Sequence, residues 1–223
     1  MRHPENSISE SVPFCMLLAI VGGFLDAYTF VGRGGVFCNA QTGNIVLFGV
    51  YISTGRWQLA FTHIPPILAF VLGVFLAEAI KRNELPFRLW NWKRIILTFE
   101  TIVLFIVGFI PSTAPNVIVT VTVSLVSSVQ VSSFRKLVDS QFNTTMSTGN
   151  LRSGTQALYI AITQRDKDAA VRSIRYFMVI FSFLSGALIG GLLTSLFGIR
   201  AIWSTILLLL FAVIFIRMEE NEH

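Results

Sequence analysis

No Asp, Glu, Lys or Arg occurs in residues 101–134, 176–199 or 201–216 of this 223-residue chain. Uncharged apolar runs of this kind suit the ~20 residues needed for a helix to cross ~30 Å of hydrocarbon. With 53% hydrophobic and only 13% charged residues, the chain as a whole leaves the soluble class. The runs resolve into six spans at 12–32, 63–80, 95–110, 116–134, 176–197 and 201–216. The first carries Asp26, and the second has Pro65-Pro66 in its first turn, where proline is tolerated.

Two short polar segments interrupt this pattern. Gln41-Thr42-Gly43-Asn44 leads into an apolar stretch, and its core recurs as Thr148-Gly149-Asn150. In the same register Tyr28 falls on Phe134 and Arg94 on Arg200. After a small gap Phe70-x-x-Gly73 matches Phe183-x-x-Gly186. Each half then reads as a span, a Thr-Gly-Asn segment and two further spans. The chain is predicted to be one membrane domain over 1–223, with pseudo-repeat halves 12–110 and 116–217.

If both polar segments crossed the membrane, the chain would have eight spans and parallel repeats; if neither does, it has six spans and inverted repeats. With six spans and both termini cytoplasmic, all but Arg33, Arg56 and Arg200 of the 17 Lys and Arg lie inside. With eight, the basic residues of 165–175 move outside and the two sides nearly balance. The positive-inside rule favours six. Arg152, two residues after Asn150, agrees, because no apolar run of spanning length surrounds it. Both segments are therefore read as re-entrant, with irregular backbone dipping in and a short helix running back out. Such backbone is tolerated only where protein or a water-filled cavity surrounds it. Trp90 and Trp92, among Lys81, Arg82, Arg88, Lys93 and Arg94, mark an interfacial loop. The fold class predicted is all-α, a polytopic membrane protein with six transmembrane helices, two short re-entrant helices and a 3+3 inverted repeat.

At a helix start, Thr and Asn supply N-caps, while Gly lets backbone approach a ligand or a neighbouring helix. The free N–H groups and positive dipole end point inward, and an inverted pair aims two such ends at one central region. This is the logic of a transporter or channel for a small anionic or neutral solute, with Gln41, Thr42, Gly43, Asn44, Thr148, Gly149 and Asn150 at the site. Capping and tight packing alone also explain the motif, and the protein is then a non-transporting scaffold or partner-binding protein. Asp26, an ionisable residue inside a span, is a functional candidate, expected to face the re-entrant segments and pair with Arg152. Glu100 lies roughly 10 Å along its helix from Lys93 and joins Asp26 as a candidate for proton or ion coupling. Gln130 is placed to bond across helices or line a path. Glu78 with Lys81 and Arg82 reads as an end-of-helix cluster.

No nucleophile, base or metal set fits an enzyme, and no catalytic residue, cofactor or metal site is expected. Cys15 and Cys38 read as small buried side chains. Residues 1–11 lack the pattern of a removable signal peptide. The net charge of +5 sits between apolar runs, where it serves topology and lipid headgroups and not nucleic acid. The lipid bilayer and a small solute are the expected partners. Gly22-Gly23, Gly186 and Gly190-Gly191 suit close packing within one chain or in a homo-oligomer.

Gly23-Phe24-Leu25-Asp26-Ala27, Gly34-Gly35-Val36-Phe37 and Gln41-Thr42-Gly43-Asn44 together resemble the signature of the YoaK-like membrane proteins, the family of domain of unknown function 1275. Gln130-Val131-Ser132-Ser133-Phe134-Arg135-Lys136 and the run from Asn143 to Leu151 extend the resemblance over nearly the whole chain. It implies a bacterial multi-pass inner-membrane protein and assigns no activity. The motif positions it carries over are Asp26, Gly35, Phe37, Thr42, Gly43 and Asn44, then Gln130, Arg135, Thr148, Gly149 and Asn150. Ser132 stands where the first half has Asp26, so a central site would be electrostatically lopsided.

Overall fold

Each of the six apolar runs lies largely in a helix. The computed structural model describes residues 9, 11–82, 92–134, 136–137, 140–141 and 147–221. The helices are α1 (Val12–Gly32), α2 (Gln41–Ser53), α3 (Trp57–Phe61), α4 (Ile64–Arg82), α5 (Trp92–Val107), α6 (Asn116–Ser133), α7 (Ser147–Gln164), α8 (Lys167–Phe197) and α9 (Trp203–Asn221). A 3-10 turn, Gly198–Ile202, joins the last two, and Lys136–Leu137 pairs antiparallel with Ser140–Gln141. Arg88, Trp90, Arg135 and Asn143 to Met146 lie outside the described residues.

Four stretches are long and apolar enough to cross a membrane: Val12–Gly32, Trp57–Arg82, Asn116–Ser133 and Lys167–Met218, the last holding both α8 and α9. Leu68, Leu72 and Phe75 on α4, and Leu184, Leu188 and Leu192 on α8, recur at helical spacing, each more than half exposed. Apolar faces of this extent belong in lipid. The chain is a membrane protein built of helices.

Local chemistry sets the helix ends. The Phe14 N–H donates to the Ser11 hydroxyl at 3.4 Å, and proline occupies the first turn of α1. α8 starts nine residues before the apolar run it contains, because Asp166 caps it, accepting from the N–H groups of Asp168 at 2.8 Å and Ala169 at 3.1 Å.

Glycines fix the pairing of the long helices. α1 packs along α8 in parallel: a Cβ on Gly186 would fall on the Ile20 carbonyl, and one on Gly190 on the Phe24 main chain. α4 packs along α6 in the same sense, with Gly73 against the Leu125 carbonyl and the Lys81 ammonium on the Ser132 carbonyl at 2.6 Å. The expected Glu78–Lys81 pair forms beside it at 3.0 Å. The end of α5 meets the start of α9, where the Trp203 indole N–H donates to the Phe105 carbonyl at 3.1 Å. α7 folds back on the first half of α8, the Ser173 hydroxyl donating to the Gly154 carbonyl at 2.9 Å. α1 and α6 are the central helices, 67% and 61% buried against 28% for the stretch containing α4. They run antiparallel, the tilted rings of Phe14 and Phe134 lying 5.4 Å apart at one end while Gly34 lies against Asn116 at the other.

Candidate functional site

The irregular segment between α1 and α2 is where buried polar side chains from several elements meet. Gly34 and Gly35 have φ of 92° and 77°, a conformation that glycine adopts without steric cost. They turn the chain back along α1, so Asn39 lies beside Asp26 and Gly22: its N–H donates to Asp26 Oδ1 at 2.7 Å and its carboxamide to the Gly22 carbonyl at 3.3 Å.

Non-helical backbone in an apolar interior needs partners from side chains. Asp26 Oδ1 also accepts from the Ala40 N–H at 3.3 Å and the Cys38 thiol at 3.4 Å. The Cys38 carbonyl accepts from Gln41 Nε2 at 2.7 Å and from the Ser124 hydroxyl of α6 at 2.9 Å. Asn44 clips Phe37 twice, accepting from its N–H at 3.0 Å and donating to its carbonyl at 2.7 Å. Asp26, Gln41 and Asn44 thus meet in one network.

His63 completes that network. Its Nδ1 lies 3.1 Å from Asn44 Oδ1, and its ring stacks on Tyr51 at 5.6 Å. A carboxamide oxygen only accepts, so Nδ1 carries the hydrogen. Asn39 opens the polar stretch that runs to Asn44 without standing among the expected site residues, and Ser124 was missed, as no local motif marks it. His63 carries a faint signal, standing just before Pro65-Pro66 at the entry to an apolar run.

Both Thr-Gly-Asn copies sit in one helical register, at the second to fourth residues of α2 and α7. Asn44 and Asn150 are buried, whereas Thr42 and Thr148 are exposed. The N-cap of α2 is Ala40, with no side-chain cap bond. Asparagine, not threonine, is therefore the inward residue, and capping does not explain the first copy. Gly43 admits the Phe37 ring, while Gly149 has no atom within 4 Å of a Cβ position.

The expected Asp26–Arg152 pair does not form. Asp26 is engaged by residues 38–40, and Arg152 lies on the exposed face of α7 with Thr148, Thr155 and Gln156. A double-mutant cycle of Asp26→Asn and Arg152→Gln, read by thermal unfolding, is expected to be additive within about 0.5 kcal/mol.

Glu100 and Gln130 are each 1% exposed. No hydrogen bond joins either side chain to the Asp26 network among the described residues. Among those residues, Asp26 Oδ2, Asn39 Oδ1, both Glu100 oxygens, Ser127 Oγ and Gln130 Nε2 are buried with no hydrogen-bond partner. Such groups are uncommon and call for a physical account.

Comparison with known proteins places the chain in a wider set. The family described as "Protein of unknown function (DUF1275)" matches residues 14–215. The chain is similar to the UPF0700 transmembrane protein YoaK of Bacillus subtilis (strain 168), 27% identical over 141 residues. That match spans 61% of this chain and 62% of the relative, a little under two thirds of its length. No solved structure matches.

Proposed function

The chain belongs to the DUF1275 family of proteins of unknown function, and from its buried polar network we propose that it is a transporter or channel for a small solute. The observation that carries this reading is the set of unpartnered buried oxygens at a break between helices. A purely structural break would use its acceptors internally, as Asn44 does. Because Asp26 Oδ2 and Asn39 Oδ1 only accept, the solute favoured is neutral or donor-bearing and not anionic.

The proposed topology has six spans, α2 and α7 as re-entrant helices, and a 3+3 inverted repeat in a bacterial inner membrane with both termini cytoplasmic. The packing supports it. Exchanging α1, α4 and α5 for α6, α8 and α9 maps the pair α1–α8 onto α6–α4 and leaves α5–α9 unchanged. Gly73 and Gly186, matched in the two halves, both sit against a main-chain carbonyl of the other half. α2 begins beside Asp26, within α1, and α7 runs antiparallel to α8 from a start near the middle of that helix.

In a background with Cys15 and Cys38 replaced, Thr42→Cys is expected to react with an impermeant thiol reagent only from outside and Thr148→Cys only from inside. Labelling of both from one side would overturn the inverted arrangement. Flux of neutral and cationic solutes into proteoliposomes tests transport. A scaffold would retain its fold and move none of them.

A further inference from the structure

Three of the unpartnered oxygens belong to one place in the fold. Asp26 Oδ2 is on α1, Asn39 Oδ1 on the irregular segment and Ser127 Oγ on α6, and their residues are 4%, 7% and 0% exposed. Asn39 is tied to α1 at Asp26 and, one turn towards the start of that helix, at Gly22. Ser127 is one turn beyond Ser124, whose hydroxyl holds the Cys38 carbonyl. Since α6 runs antiparallel to α1, the step from Ser124 to Ser127 follows the direction from Asp26 to Gly22. Ser127 Oγ therefore lies on the Gly22 side of Ser124, towards the Asn39 carboxamide, where α1, the irregular segment and α6 adjoin.

Among the described residues, no positive charge is shown beside these oxygens. Arg33 is bound to Tyr28 and to the carbonyls of Ile110 and Pro111, and Arg152 is exposed on α7. α2 and α6 contain no Lys or Arg, and the basic residues of α8 stop at Arg175, well before Gly186 reaches the level of Ile20. A buried carboxylate without a cation is strongly disfavoured. Among the described residues no group of three or more His, Cys, Asp and Glu could hold a metal ion, so the ligand set suits neither zinc nor calcium. One carboxylate, one amide oxygen and one hydroxyl make a hard, oxygen-only set with a single negative charge. A proton would engage one pair of these oxygens, whereas a metal ion takes lone pairs from all three.

We propose that Asp26 Oδ2, Asn39 Oδ1 and Ser127 Oγ bind one alkali-metal cation at the break between α1 and α2. Broken helices in membrane interiors commonly supply such ligands. The site deepens the transport reading, on which its role as a coupling ion rests, but its occupancy is measured without flux.

The test uses the full chain in detergent, with thermal unfolding followed by tryptophan fluorescence in NaCl, KCl, LiCl or choline chloride at one ionic strength and pH. The midpoint is expected to rise saturably by about 3 °C or more in one alkali chloride over choline. Ser127→Ala removes a hydroxyl that bonds nothing, so it should fold as well as the parent. It and Asn39→Ala are each expected to raise the half-saturating concentration at least about tenfold, a loss of ~1.4 kcal/mol. Asp26→Asn should abolish the response. Equal midpoints in choline and every alkali chloride would overturn the site, as would unchanged half-saturation in both Ser127→Ala and Asn39→Ala. Cation binding without solute flux would overturn transport and leave the site standing.

Discussion

Gly186→Leu is expected to eliminate folded protein, seen as loss of the monodisperse peak in detergent size-exclusion and a fall in yield of at least severalfold. The reason is what the new side chain would meet. A Cβ at Gly186 falls on the carbonyl, carbon and Cα of Ile20, all main-chain atoms, and Gly23 and Gly190 make the same kind of approach along the α1–α8 contact. Overpacking costs about 1–3 kcal/mol where side chains can yield. Here no rotamer change relieves the clash, so the helices must separate, and dispersion along their whole contact weakens with distance. Total stability of only about 5–15 kcal/mol leaves little reserve. Gly191→Ala is the control: its Cβ would meet only the Ala27 methyl, at 4.0 Å, and yield should match the parent. A normal yield for Gly186→Leu would mean that α1 and α8 are not in contact.

The second large effect is expected at Arg33, the largest of the fully buried side chains, at 0% exposure. Its guanidinium donates to the Tyr28 hydroxyl at 3.2 Å, the Ile110 carbonyl at 2.8 Å and the Pro111 carbonyl at 3.3 Å. It thus sits where α1 ends and α5 has just ended, at two negative dipole ends. Arg33→Ala leaves those carbonyls unpaired and opens a cavity, an expected loss of about 3 kcal/mol or more. That corresponds to a fall in the unfolding midpoint of roughly 6–12 °C. Arg33→Lys should recover only part, since an ammonium lacks the planar fork that spans two carbonyls. Arg56→Ala, at an exposed position over the Tyr51 ring, should leave the midpoint unchanged. Equal midpoints for Arg33→Ala and Arg56→Ala would refute the clamp.

That contrast shows what the sequence could convey. Charge counting treats Arg33 and Arg56 as equivalent markers of one side, because position along the chain carries no information about burial. Ends were legible where capping chemistry is local: α1 runs over the residues read for it, from the Ser11 cap to the Gly34-Gly35 reversal. They were not legible where a helix continues past the apolar run, as α8 does through Arg172 and Arg175. In the polar site, Asp26, Gln41 and Asn44 stood out because polar residues are costly in apolar surroundings. Asn39, His63, Ser124 and Ser127 did not, since each acquires its meaning from a partner on another segment. Arg152 was drawn to Asp26 by charge alone, whereas it lies on the exposed face of α7 and backbone N–H groups hold one oxygen of that carboxylate.

The exchange of partners between the halves also bears on how the chain is made. α1 is synthesised first, yet its long neighbour is α8, and the Cys38 carbonyl waits for a serine 86 residues further on. α4 likewise waits for α6. Neither half contains its own complete core, so α1 and α4 can reach their long neighbours only once the second half has been synthesised. Until then, Asp26 and the irregular segment beside it must be sheltered by the insertion machinery or by water.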